Sequence, residues 1–123
     1  MPESDELAVD IKEIRWRQKS MDSSMDLLLK ANREAIMNEV AAFFGSSKRR
    51  ADVYLAVDGK RAVRDIAASL GMKGPNVSIE LTRLSDEGLI EREASPSGEV
   101  AWKKKRIDKV LRISEFLRKK FSL

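Results

Sequence analysis

The side chains best suited to chemistry in this sequence are cations, gathered in two groups. Lys48-Arg49-Arg50 through Lys73 form one, and Lys103-Lys104-Lys105-Arg106 through Lys120 form the other. Clustered Lys and Arg are the usual footprint of a phosphate-backbone partner, although a solvated basic helix face has the same composition. Between the groups lie Asn76, Ile79, Thr82 and Arg83. Arg suits guanine, Asn suits adenine, and Ile or Thr suits a thymine methyl; Ser78 suits donation to a phosphate oxygen.

Catalytic chemistry has few candidates. The 123 residues include no Cys and no His, which removes disulfides, thiolate metal sites and the commonest general base. The acidic residues are scattered in a way that suggests neither a hydrolase dyad nor an oxygen-ligand metal loop. Asp58-Gly59 reads as a turn and not as a phosphate cradle. The expectation is a protein without catalytic residues, metal or cofactor.

The net charge of +4 conceals a pattern: −3 over residues 1–47, +4 over 48–74, −4 over 75–102 and +7 over 103–123. Apolar runs such as Val40–Phe44 fall far short of the roughly 20 residues of a membrane span. The acidic start, Met1–Asp10, lacks the marks of a secretion signal, so a cytoplasmic location is expected.

The elements that position these residues read as mainly α with a small β-hairpin. A first helix covers 4–19, capped by Ser4 and carrying Leu7, Ile11 and Ile14. A second covers 21–44, with Met21, Met25, Leu28, Leu29, Ile36, Val40 and Phe43 near one side, and Gly45-Ser46-Ser47 ends it. A third covers 49–57. After the turn at 58–60, Arg61–Val63 reads as extended, and a short helix over 64–70 closes at Gly71 in a left-handed cap. Pro75 starts a helix over 75–87 whose inner stripe is Val77, Leu81 and Leu84, leaving Ile79, Thr82, Arg83 and Asp86 outward. Leu89–Glu93 and Val100–Lys103 are strands around a turn at 94–98, with Val100 and Trp102 on one face. Trp102 reads as a core cover over this hairpin, and Trp16 as a core or interface anchor. A last helix covers 107–121.

Two short helices joined at Gly71-Met72-Lys73-Gly74 make a helix-turn-helix pattern, and a hairpin follows at once. The stretch Val63–Gly71 with Asn76–Ile90, above all Val77-Ser78, Leu81, Leu84 and Gly88-Leu89-Ile90, resembles the MarR/ArsR-like winged helix-turn-helix transcription regulators. The resemblance covers about residues 50–105. It implies that helix 75–87 enters the DNA major groove and that the wing, about 89–103, meets the backbone. It also implies that the terminal helices build a homodimer.

On this reading the chain divides into an N-terminal helical arm (1–47), a winged helix-turn-helix domain (48–106) and a basic C-terminal helix (107–123). Base readout falls to Asn76, Ile79, Thr82 and Arg83. Phosphate contact falls to Lys73, Ser78, Arg92, Lys103, Lys104, Lys105 and Arg106. Dimerisation falls to Met21, Met25, Leu28, Leu29, Ile113, Phe116, Leu117 and Phe121. The expected partners are double-stranded DNA and a second copy, with no membrane. Two features depart from the family. Helix 75–87 carries Glu80, Asp86 and Glu87 against Arg83 alone, and the wing carries Glu93 and Glu99. If Glu80 faces the phosphates, neutralising it strengthens non-specific binding. The acidic helix and the outward Ile79 also fit an alternative, a winged-helix adaptor that binds protein.

Overall fold

The computed structural model describes residues 2–94 and 98–123, with side chains from residue 12 onward. The expected Ser4 cap, the side chains of Leu7 and Ile11, and the centre of the 94–98 turn lie outside the described residues. The order is α1 (Pro2–Ala31), α2 (Arg33–Phe44), α3 (Lys48–Ala56), α4 (Val63–Leu70), α5 (Gly74–Asp86), β1 (Ile90–Ala94), β2 (Val100–Lys104), α6 (Arg106–Leu111) and α7 (Ile113–Phe121).

The first two helices differ from the expected 4–19 and 21–44. No break falls at Ser20, because serine tolerates a helix interior; Ser24 Oγ simply donates back to the Ser20 carbonyl at 3.0 Å. The break falls at Asn32, whose side-chain amide donates to the Leu28 carbonyl at 2.8 Å. That bond competes with the backbone ladder and bends the helix. Beyond it the chain turns into the core, where Val40 and Phe44 are buried.

The core gathers one stripe from each later element: Val53 and Tyr54 of α3, Ile66 of α4, Val77, Leu81 and Leu84 of α5, Leu89, Ile90 and Trp102 of the hairpin. Gly71 takes the left-handed cap that its position demands, with φ 64° and ψ 32°. β1 and β2 pair antiparallel, Ile90 opposite Lys104 and Ala94 opposite Val100. Residues 61–63 add no strand, and among the described residues the hairpin is the whole sheet. What remains of the expected extended piece is a single backbone bond, Gly59 N–H to the Trp102 carbonyl at 2.7 Å. Trp102 covers the core as expected. Val100 is exposed although it shares the strand face, because the hairpin has left the core by that point.

The expected last helix is two. Arg112 takes φ 55° and ψ 49°, ending α6 and starting α7. The cause is tertiary. Asp108 Oδ1 accepts from the Tyr54 hydroxyl at 2.6 Å, from Ser114 N at 2.8 Å and from Ser114 Oγ at 2.7 Å. One carboxylate thus caps α7 and ties it to α3. Burial, and then the bond to Asp108, push the Tyr54 phenol far above its ordinary range. Ile113 and Leu117 were expected at a dimer face. They are fully buried in the chain's own core, because the break rotates α7 onto α3.

α1 is held to α6 by Arg106, whose guanidinium donates to both Asp26 oxygens at 2.6 and 2.8 Å. That hydrogen bond keeps the Asp26 carboxyl below the usual carboxylate range. A depressed folded value adds stability above the unfolded pKa, and the addition fades as pH falls through the folded value. The stability gap between the natural chain and Asp26→Asn should therefore close on acidification, as thermal melts at successive pH values would show. No described helix is long and apolar enough to cross a membrane.

Candidate nucleic-acid interface

α5 is built to present one face. Its 3-4 spaced Val77, Leu81 and Leu84 fasten the inner side, so Ser78, Ile79, Thr82 and Arg83 must point out. The four line one shallow depression of about 320 Å³. Ile79 is 49% exposed. Thr82 Oγ1 donates back to the Ser78 carbonyl at 2.9 Å, which leaves its methyl available. Asn76 is half-buried in the first turn of the same helix. The residues expected to read bases therefore lie on one helix, three of them in one depression.

Glu80 does not face outward. It is 5% exposed, and its carboxylate accepts from Arg50 Nε at 2.9 Å and meets Arg83 Nη1 at 3.4 Å. Arg50 also donates to the Phe43 carbonyl at 2.6 Å and lies over the Phe43 ring at 4.5 Å. The premise that Glu80 repels phosphates is corrected: its charge is spent inside, between two guanidiniums. The i,i+3 spacing of Glu80 and Arg83 was visible in the sequence. Arg50, 30 residues away, was not.

The basic run after the wing separates into four roles. Lys103 sits between Glu91 and Glu93 at 3.4 and 3.8 Å, so acidic neighbours offset its charge. Lys104 turns inward; its ammonium donates to the Val57 carbonyl at 2.8 Å and the Leu55 carbonyl at 3.4 Å. Burial holds that ammonium below the ordinary lysine range. Lys104 is thus corrected from a phosphate contact to a cap on the end of α3. Arg106 is likewise corrected, because Asp26 occupies its guanidinium. Lys105 is exposed and has no side-chain partner among the described residues, and the same holds for Lys73 at the start of α5. Arg92 stands exposed on β1, 5.4 Å from the Trp102 ring. Lys104→Ala should lower stability by about 1–3 kcal/mol, since it strands two carbonyls. It should leave the salt dependence of any nucleic-acid binding unchanged. Denaturant melts and a salt titration on one preparation check both.

On the terminal helices, Met21, Met25 and Leu28 are exposed, while Leu29, Phe116 and Phe121 are half-buried against the core. Trp16 anchors nothing within the chain and is exposed. A groove of about 620 Å³ opens between α2 and α7, lined by Arg33, Met37, Arg112 and Phe116 among others.

Helix, turn, outward-facing second helix and hairpin define a winged helix-turn-helix domain. Residues 53–99 match the sequence model of the MarR family, so the resemblance to these winged-helix regulators holds. Solved structures agree on the fold. MepR of S. aureus in complex with DNA superimposes with a TM-score of 0.55 at 18% identity, covering 77% of this chain and 70% of that one. A predicted DNA-binding transcriptional regulator from E. coli gives 0.54 at 20% identity, covering 72% and 96%. YusO of Bacillus subtilis gives 0.52 at 19%, covering 85% and 79%. No curated protein sequence matches the chain.

Proposed function

We propose that this chain is a sequence-specific, double-stranded DNA-binding transcription regulator that acts as a homodimer. The observation that carries the reading is α5: a helix clamped by a buried stripe, with Ile79, Thr82 and Arg83 side by side outside. The likeness of its fold to that of MepR bound to DNA supports it. On this reading α5 lies in the major groove, with Arg83, Asn76, Ile79 and Thr82 on base edges. Lys73, Ser78, Arg92 and Lys105 take phosphates. Residues 48–106 are the DNA-binding unit, 1–47 the dimerising arm, and 107–123 a C-terminal helix packed beside it. Met21, Met25 and Leu28, exposed on α1, supply apolar surface for a second copy.

Selection of duplexes from a random pool, followed by titration across a salt series, tests the reading. The selected duplex should bind two chains, at least about 10³-fold more tightly than random DNA, with affinity falling linearly in log salt. Equal, weak binding to all duplexes, together with a protein complex broken by Ile79→Asp, would establish the adaptor alternative instead.

A further inference from the structure

α1 carries an apolar seam that the chain itself leaves uncovered. Ile14, Met21, Met25 and Leu28 are between 56% and 72% exposed. Their spacings of seven, four and three residues are those of a heptad, with Ile14, Met21 and Leu28 at position d and Met25 at position a. In the sequence Leu7 and Ile11 continue the same register, so the repeat spans residues 7–28, about 33 Å of helix at 1.5 Å per residue. Gln18 is the polar residue at an a position within it. The seam stops where Asn32 bends the chain into its own core. It lies on a different side of α1 from Asp26, which is held by α6.

We infer that residues 7–28 form a parallel, in-register two-stranded coiled coil with a second copy of this chain. The charges beside the seam choose the occupant and the direction. Position g holds Asp10 and Arg17, and position e holds Arg15 and Asp22. In a parallel pair each g residue meets the e residue five positions on in the second copy. Asp10 then meets Arg15, and Arg17 meets Asp22, so both contacts are attractive and each occurs twice. Arg17 is free to make its contact, because its bond to Glu13 is a surface pair with both side chains more than half exposed. A parallel pair also sets Gln18 against Gln18, where the amides satisfy each other. An antiparallel pair sets Gln18 against Met21 and leaves Asp10 and Arg17 without their opposite charges. A polar residue at one a position is the usual means of fixing register.

The inference rests on the homodimer reading and specifies its geometry. The absence of cysteine makes the test clean. Ile14→Cys and Leu28→Cys, each made alone in the full chain, should both cross-link to themselves under mild oxidation. Each should give a reducible species of twice the 13.9 kDa chain mass. Both positions are exposed, so neither change disturbs the folded core. Arg17→Asp combined with Asp22→Arg should keep the cross-link, and Arg17→Asp alone should weaken it. Sedimentation as a dimer with neither variant self-linking, or with Ile14→Cys linking only to Met25→Cys, overturns the parallel coil while leaving the homodimer standing. Sedimentation as a monomer overturns both.

Discussion

Glu80→Ala lowers the unfolding free energy by about 3 kcal/mol, the low end of the range for breaking a buried ion pair. The estimate is low because the Arg50 side chain keeps 18% exposure and water partly recovers it. What is lost is a junction. Glu80 on α5 holds Arg50 on α3, and Arg50 holds the last turn of α2 through the Phe43 carbonyl. Glu80→Gln should cost less, because its amide oxygen still accepts from Arg50. Pairing Glu80→Leu with Arg50→Met should recover most of the loss, since the cost lies in the abandoned partner. Urea melts of the four variants decide it. A Glu80→Ala chain as stable as the natural one would remove the junction from the account.

Arg83→Ala costs about 1–3 kcal/mol on the preferred duplex and little on random DNA. Arg83 is 55% exposed in its side chain, yet its guanidinium has a preferred direction because Glu80 lies within 3.4 Å of Nη1. Arg83→Lys should not restore the loss, because an ammonium cannot make two parallel hydrogen bonds to one guanine. Titration of the three proteins against the selected and random duplexes reads the difference directly. An equal loss on both duplexes would move Arg83 from base readout to phosphate contact.

Where side-chain periodicity alone decides, the sequence was a good guide. Val77, Leu81 and Leu84 can share only one helix face, so the outward residues of α5 followed from them. Gly71 at a helix end and Pro75 at a helix start carry their backbone preferences with them. Where a distant partner decides, reading the chain in order failed. Four successive cations at 103–106 look alike, but Val57, Asp26, Glu91 and Glu93 sort them, and none of those is near in sequence. Glu80 looked outward because a stripe of three apolar residues leaves the flank of a helix undetermined; Arg50 determines it. The left-handed Arg112 had no local signal either, since its conformation answers to Asp108 and Tyr54.

The wing is fastened at two points along its length. Near its root, Gly59 N–H bonds to Trp102 and Lys104 reaches the end of α3. Nearer its tip, Glu99 meets Arg64 of α4 at 2.8 Å. Wing and recognition helix therefore behave as the two jaws of a caliper set to one opening. On the proposed reading, a duplex can engage both jaws only where its groove already has, or cheaply takes, that width. Base pairs that no side chain touches then contribute to selection through their stiffness. Loosening the caliper with Arg64→Ala would broaden the set of accepted spacer sequences without altering the bases read by α5.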